Sequence, residues 1–207
     1  MPERRMIHIV DDDDAIRRSA SFMLKTSGFD VRTWASGVAF LKDAREVEAG
    51  CILLDVRMPE MDGLQVQQAL LESGIAMPVI VLTGHGDIGI AVRAMKAGAV
   101  DFIEKPFEKA KLLEAIEAGF AQLGDRAGRA DRALDAATAI AALTDRERDV
   151  LEGLAQGLPN KTIAYDLGIS PRTVEVHRAN LMTKLAVRSL SDALRLAFAA
   201  GMGRPGE

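Results

Sequence analysis

The sequence contains very few cysteines, few aromatic residues and no long apolar run. Cys51 is the one cysteine among 207 residues, which excludes an intrachain disulfide and a cysteine-rich metal cluster. Aromatic residues make up 4% of the chain, so the core is predicted to be mainly aliphatic. No apolar stretch approaches the roughly 20 residues that span a bilayer, and the N-terminal region lacks the features of a secretory signal. These absences favour a cytoplasmic protein without a membrane partner.

Charge is distributed unevenly along the chain. Residues 1–123 carry 14 Lys/Arg and 19 Asp/Glu, a net charge of −5, whereas residues 124–207 carry 12 and 11, a net charge of +1. Within residues 157–195 the net charge is +3. An acidic first part and a locally basic second part indicate two domains with different partners.

Short apolar runs alternate with amphipathic stretches in the first part of the chain. The runs are MIHIV (6–10), VRTW (31–34), CILL (51–54), VIVL (79–82) and AVDFI (99–103). Strands that alternate with helices predict a parallel sheet with helices on both faces. Residues 1–123 are therefore predicted to form an α/β domain, a doubly wound (βα)5 parallel sheet.

Polar residues follow four of these predicted strands. Asp11 and Asp12 follow the first, Asp55 the third, Thr83 the fourth and Lys105 the fifth. Because the carboxyl ends of parallel strands lie at one edge of a sheet, these side chains are expected to converge. Three carboxylates there form an oxygen-rich site for a hard divalent cation, and Mg²⁺ is the expected ion. A carboxylate in such a site can also attack a phosphoryl group, and Asp55 is the candidate nucleophile.

The run DDDDA after the first strand also permits other interpretations. Asp13 and Asp14 are expected to favour the start of the next helix, because carboxylates cap helix N-termini. The same run contains D-x-D, so an alternative function is a Mg²⁺-dependent phosphatase with Asp11 as nucleophile and Asp13 as acid. A third interpretation keeps the fold but makes the first domain a protein-binding scaffold that carries no phosphate.

The motifs IVDDDD, LLDVRMPEMDG, VLTGHGD and AGAVDFIEKPF resemble the receiver domain of two-component response regulators over about residues 5–123. The resemblance implies a flavodoxin-like fold and a sensor histidine kinase that phosphorylates Asp55. It also implies that Mg²⁺ is bound by Asp12, Asp55 and the backbone carbonyl of Arg57, with Asp11 acting mainly through water. The domain is then a phosphoryl acceptor that dephosphorylates itself, and it is not otherwise an enzyme.

The same resemblance implies a conformational switch. Thr83 and Phe102 match the family's switch pair, in which the hydroxyl moves toward the phosphoryl group and the aromatic ring turns inward. Lys105 matches the lysine that stabilises the phosphoryl group. Phosphorylation would then change the surface formed by the fourth helix (about 87–97), the fifth strand and the fifth helix, on which the family commonly forms a homodimer.

The composition changes after Leu123. Residues 124–142 are rich in Ala, Arg and Asp and have no strong apolar stripe, which predicts a linker that is partly helical. From residue 143 onward only helical patterns remain, so residues 143–207 are predicted to form a small all-α domain. Its first helix begins with TDRE (144–147), the pattern of a capping box.

The stretch LPNKTIAYDLGISPRTVEVHRANLMTKL has the pattern of a helix-turn-helix. Ser170 is a predicted cap, followed by Pro171 at the first helical position. Glu175 is expected to accept from cytosine N4, and Val176 to contact a thymine methyl group. Basic residues would bind phosphates. The full set of predicted DNA contacts is Lys161, Arg172, Thr173, Glu175, Val176, Arg178, Ala179, Asn180 and Lys184.

This second part resembles the LuxR-type output domain over about residues 140–200, through the motifs LTDRERDVL, GLPNKTIAYDLGIS and RTVEVHRANLMTKL. The whole chain is similar to regulators of the FixJ/NarL type. The resemblance implies a transcription factor that binds double-stranded DNA. Affinity should rise steeply on dimerisation, because two half-sites are then bound together.

Overall fold

The structure, a computed structural model, describes residues 5–84, 88–124 and 136–203. Five strands form one sheet in the order β2-β1-β3-β4-β5, and every neighbouring pair is parallel. The predicted strands are therefore confirmed, with ends that differ by one or two residues. They are β1 (Met6–Val10), β2 (Asp30–Trp34), β3 (Cys51–Asp55), β4 (Val79–Thr83) and β5 (Asp101–Glu104).

Helices alternate with these strands, as the apolar pattern predicts. Asp13 caps the first helix, because its carboxylate accepts from the backbone N–H groups of Ala15 and Ile16. Asp14 forms ion pairs with Arg17 and Arg18. Both carboxylates thus have the structural role expected for them. The helices are α1 (Asp14–Thr26), α2 (Gly37–Asp43), α3 (Gly63–Glu72), α4 (Ile88–Lys96) and α5 (Lys109–Gly124).

The central strands β3 and β4 are buried along their whole length. They are short runs of aliphatic residues, as expected for strands covered on both faces. One hydrophobic cluster of the core is built from the sheet, α1 and α5, and includes Ile9, Leu24, Leu53, Leu82 and Ile116. The strand order reverses at β1, so the carboxyl ends of β1 and β3 border the crevice where ligands bind in open α/β sheets.

The chain divides into two compact units, and α4 groups with the C-terminal helices in the second. Residues 136–141, in the last part of the predicted linker (124–142), are helical, and the extent of the linker stays a prediction. The rest of the predicted linker interior, residues 125–135, lies outside the described residues. The remaining helices are α6 (Asp145–Ala155), α7 (Asn160–Leu167), α8 (Pro171–Lys184) and α9 (Leu190–Ala199).

The helix boundaries in the second unit follow from local sequence signals. Thr144 and Glu147 form the predicted capping box at the start of α6. Gly168 ends α7 in the left-handed conformation, which glycine adopts without a steric penalty. Ser170 caps α8, with Pro171 at its first position.

Within the ranges that the structure covers, no helix is both long and apolar enough to cross a bilayer.

Candidate metal centre and nucleic-acid interface

Three carboxylates meet at the carboxyl edge of the sheet, as the strand order requires. Asp11 and Asp55 are buried and Asp12 is exposed, and one oxygen from each lies within 4.8 Å of the others. Carboxylate oxygens in this number and type suit a hard cation such as Mg²⁺. The predicted convergence of these three residues is therefore confirmed.

Lys105 lies between two of the carboxylates. Its Nζ donates to Asp11 Oδ2 at 2.6 Å and to Asp55 Oδ1 at 2.7 Å. The backbone N–H of Lys105 donates to the carbonyl of Thr83 at 2.8 Å, so the pairing of β4 with β5 sets the position of the lysine. The structure thus brings Lys105 to the site by the same edge geometry that brings the aspartates.

The two buried carboxylates differ in how many of their oxygens are bound. Both oxygens of Asp11 accept hydrogen bonds, Oδ1 from the backbone N–H of Asp13 and Oδ2 from Lys105. Asp55 Oδ1 accepts from Lys105, whereas Asp55 Oδ2 accepts no hydrogen bond within the ranges that the structure describes. The Asp55 side chain remains 8% exposed. Asp55 therefore offers an oxygen for chemistry that Asp11 does not.

Burial and charge shift the pKa values at this site. Burial raises the pKa of Asp55, and the charges of Asp11 and Asp12 act in the same direction, while Lys105 opposes them. Burial acts to lower the pKa of Lys105, but its hydrogen bonds to Asp11 and Asp55 outweigh burial, so this pKa is raised. The ammonium group is therefore held in its charged form, ready to neutralise added negative charge.

The backbone around the site is held tightly. A Cβ on Gly63 would lie 2.3 Å from the carbonyl oxygen of Asp55, so only glycine fits where α3 begins. Arg17 on α1 donates from Nη1 to the carbonyl of Asp11 at 2.7 Å. The sequence analysis did not single out Arg17, and its position four residues after Asp13 in an ordinary helix carries no special signal.

The predicted switch residues lie on neighbouring strands. Thr83 ends β4, is buried, and donates from its hydroxyl to the Gly84 carbonyl at 3.2 Å. Phe102 lies on β5 opposite Val81 and is partly exposed. Arg57, whose carbonyl is a predicted metal ligand, is exposed in the loop after β3.

The second unit presents one exposed face of α8. Val174, Leu181 and Leu185 are buried together, which leaves the opposite face free. Side chains on this face would enter a major groove if the helix lies along it. The exposed residues among the predicted contacts on α8 are Arg172, Glu175, Val176, Ala179, Asn180 and Lys184, and Thr173 is partly exposed.

Two basic residues that were predicted to bind phosphates have protein partners in the structure. Lys184 Nζ donates to Glu147 Oε2 at 2.7 Å. Arg178 Nη1 donates to Asn160 Oδ1 at 2.9 Å. By contrast, Lys161 on α7 and Arg172 on α8 form no ion pair with any residue that the structure describes, and both are exposed.

Two family sequence patterns match the chain. The pattern described as response regulator receiver domain matches residues 7–117. The pattern described as bacterial regulatory proteins, luxR family, matches residues 141–197.

Curated relatives match over nearly the whole chain. The transcriptional regulatory protein FixJ of Azorhizobium caulinodans is 49% identical over 202 residues, which cover 98% of this chain and 96% of the relative. FixJ of Rhizobium meliloti is 50% identical over 197 residues, covering 95% and 97%.

Solved structures show the same likeness. Full-length FixJ from B. japonicum is similar with a TM-score of 0.58 and 45% identity, over 95% of this chain and 97% of that one. The response regulator StyR is similar with a TM-score of 0.56 and 40% identity, over 95% and 99%. Both comparisons extend through the two units.

Proposed function

Because this chain belongs to the FixJ-like response regulators, which join a receiver domain to a LuxR-type DNA-binding domain, we propose that a sensor histidine kinase phosphorylates it on Asp55. Phosphorylation then promotes dimerisation and sequence-specific binding to double-stranded DNA, in the cytoplasm where that DNA is found. The one observation that carries this assignment is the free Oδ2 of Asp55 beside Lys105 and two further carboxylates.

In the proposed reaction, Asp55 Oδ2 attacks the phosphorus of a phosphohistidine. A phosphorus–oxygen bond forms, the phosphorus–nitrogen bond breaks, and the histidine nitrogen leaves with the electron pair and takes up a proton. The Lys105 ammonium, 2.7 Å from Asp55 Oδ1, neutralises charge on the phosphoryl oxygens as they approach. Attack by water on the acyl phosphate returns free phosphate and the Asp55 carboxylate, which ends the signal.

The residues at this edge fit a bound Mg²⁺. Asp12, Asp55 and the carbonyl of Arg57 would hold the ion, and Asp11 would act mainly through water. Bound there, the ion supplies charge neutralisation for the phosphoryl group. The three carboxylates carry more negative charge than Lys105 alone balances, which supports a site for a divalent cation.

The proposed switch uses Thr83 and Phe102. A phosphoryl group on Asp55 adds acceptor oxygens, and the Thr83 hydroxyl, now on the Gly84 carbonyl, is able to donate to one of them. Movement of this hydroxyl gives the partly exposed ring of Phe102 space to turn inward. The change would alter the surface of α4, β5 and α5, which we propose as the dimer contact.

The proposed DNA contact is the exposed face of α8 together with the N-terminal part of α7. Arg172 and Lys161 are exposed cations that suit phosphates. Val176, which is 53% exposed, offers methyl groups to thymine, and Asn180 and Ala179 lie on the same surface. A dimer binds two half-sites at once, so its affinity exceeds that of a monomer by far more than twofold.

The phosphatase alternative requires Asp11 as nucleophile, but both Asp11 oxygens already accept hydrogen bonds. The test is to incubate the protein with acetyl phosphate and Mg²⁺, reduce the acyl phosphate with borohydride and locate the label by mass spectrometry. Label on Asp55, absent in Asp55→Asn, is the expected result. Label on Asp11 would establish the alternative, and the absence of label with a competent donor would favour the scaffold.

Dimerisation and DNA binding need a separate measurement. Light scattering after size-exclusion chromatography is expected to show a dimer for the unaltered protein with acetyl phosphate and a monomer for Asp55→Asn. Binding to promoter-sized duplex DNA should rise in parallel. A dimer of Asp55→Asn under the same conditions would contradict control by phosphorylation.

A further inference from the structure

We infer that Glu175 is the residue of α8 that reads a cytosine, and that Asn160 keeps it available by holding Arg178. This inference rests on the proposed binding of DNA by α8. It assigns Arg178 a positioning role in place of the phosphate contact predicted from the sequence.

Glu175 and Arg178 are three residues apart on one helix. Residues at this spacing are neighbours on the helix surface, and opposite charges there ordinarily attract each other. In this structure, however, Arg178 turns toward α7, where Nη1 donates to Asn160 Oδ1 at 2.9 Å. The Arg178 side chain is part-buried, and burial lowers its pKa while the charge of Glu175 acts to raise it. The two groups therefore interact through charge without a direct bond.

The Glu175 carboxylate is left without a hydrogen-bonding partner as a result. It is exposed, and across the ranges that the structure describes, no donor lies within hydrogen-bonding distance of it. Its neighbours on the exposed face are Arg172, Val176 and Ala179, and Arg172, three residues earlier, forms no ion pair with it within the ranges that the structure describes. A solvated carboxylate thus stands at the centre of the proposed DNA-reading surface.

An unpaired carboxylate at this position is unfavourable for non-specific DNA binding, because the phosphates repel it. It is nevertheless the acceptor that suits the N4 amine of cytosine in the major groove. A carboxylate already paired with Arg178 would repel phosphates less, but its oxygens would be occupied. The contact between Asn160 and Arg178 therefore favours specificity at the expense of non-specific affinity.

The test is a selection from a pool of random duplex DNA with the full-length protein, acetyl phosphate and Mg²⁺. The unaltered protein is expected to enrich a site with a fixed cytosine. Glu175→Ala should lose the preference for that cytosine by roughly 5- to 100-fold and keep its preferences elsewhere. Asn160→Ala should lose the same preference, because Arg178 is then free to pair with Glu175.

Two further variants separate positioning from general damage. Asn160→Asp keeps an acceptor for Arg178 and should retain the preference. Adding Arg178→Met to Asn160→Ala removes the competing cation, so the double variant should regain it. Thermal melts followed by circular dichroism report whether each variant folds. If Asn160→Ala does not fold, the inference is tested by Glu175→Ala and Arg178→Met alone. Glu175→Ala should lose the preference for cytosine, and Arg178→Met should retain it.

Several outcomes would overturn the inference. One is a cytosine preference that survives Glu175→Ala, and another is an Asn160→Ala variant that weakens binding equally for all sequences. A salt dependence whose slope falls by about one in Arg178→Met would make Arg178 a phosphate contact. If the unaltered protein enriches no sequence at all, the proposed DNA-binding function fails together with the inference. If every variant enriches the same site as the unaltered protein, the inference fails but the proposed DNA-binding function does not.

Discussion

Lys184, in the last turn of α8, donates to the Glu147 carboxylate in the first turn of α6, with 2.7 Å between Nζ and Oε2. Glu147 also accepts from the backbone N–H of Thr144, so one carboxylate joins the start of the domain to the end of its proposed DNA-reading helix. Glu147 is 4% exposed and Lys184 is 40% exposed at the side chain. We therefore expect the main role of Lys184 to be to hold α8 against α6 through Glu147 and not to contact DNA.

Replacing Glu147 is expected to destabilise the second unit. Glu147→Ala leaves Lys184 and the N–H of Thr144 without their acceptor, which should lower the free energy of unfolding by about 1–3 kcal/mol. Urea unfolding followed by circular dichroism measures this change. Arg172→Ala is the matched control, because Arg172 is exposed and forms no ion pair in the described part of the chain, so its loss should alter stability by less than about 0.5 kcal/mol. Equal effects of the two variants would contradict a structural role for the pair.

The same carboxylate predicts how stability depends on pH. Hydrogen bonds from Lys184 and then from Thr144 lower the pKa of Glu147 to about 2. Because the folded state binds this proton less well than the unfolded state, the stabilisation is complete above the ordinary value of 4.5 and is lost as the pH falls toward 2. Unfolding free energies between pH 5 and pH 3 should therefore fall more steeply in the unaltered protein than in Glu147→Gln. Parallel curves would show that Glu147 is not the group responsible.

Removing the charge of Lys105 is expected to tighten Mg²⁺ binding and to slow phosphorylation. A unit positive charge about 4 Å from a divalent cation would cost about 2 kcal/mol even at the dielectric constant of water, so Lys105→Met should bind Mg²⁺ roughly 30-fold more tightly. Calorimetric titration with Mg²⁺ measures the affinity, and Lys25→Met, an exposed lysine on α1, serves as control. Weaker binding by Lys105→Met would show that the lysine organises the carboxylates more than it competes with the ion.

Gly63→Ala is expected to damage the phosphorylation site. Its Cβ would lie 2.3 Å from the Asp55 carbonyl oxygen, so the loop after β3 must move and carry Asp55 with it. We expect the rate of labelling by acetyl phosphate to fall roughly 10- to 100-fold. Gln68→Ala is the control, because Gln68 is exposed on the same helix, one turn beyond Gly63. A normal labelling rate in Gly63→Ala would mean that the loop adjusts without moving the carboxylate.

Glycine at position 60 is expected to stabilise the first unit. Glu60 has a φ of 65°, a left-handed conformation that costs a residue with a Cβ roughly 1–2 kcal/mol. Part of this gain is lost to the greater freedom of glycine in the unfolded chain, so Glu60→Gly should raise the free energy of unfolding by about 0.5–1 kcal/mol. Unfolding monitored by the fluorescence of Trp34 measures the change. Destabilisation would indicate that the Glu60 side chain makes a contact of its own.

Much of the first site could be predicted because it depends on strand ends. Once β1 and β3 are parallel neighbours, Asp11 and Asp55 must lie at one edge, and periodicity and turn residues are enough to place both strands. The caps at Asp13, Thr144 and Ser170 were predictable for a similar reason, since each depends on residues within three or four positions. At these strand ends and helix caps, the structure that the neighbouring residues favour is the one found in the fold.

The contacts that were missed join residues distant in sequence. Nothing near Lys184 or Arg178 in the chain distinguishes a side chain that will bind a phosphate from one that will meet Glu147 or Asn160. Arg17 was missed in the same way, because its contact with the Asp11 carbonyl depends on how α1 returns over the strand end.

The sequence by itself determined the order of strands and helices, the helix caps and the collection of carboxylates at one edge of the sheet, because local hydrogen bonding and the period of apolar residues are enough to specify them. Only the tertiary structure decided which charged groups remain free. Among the residues that the structure describes, it left Asp55 Oδ2 and the Glu175 carboxylate without donors and gave Lys184 and Arg178 protein partners. The physical reason is that pairing between distant side chains depends on helix packing, which the chain pattern alone does not encode.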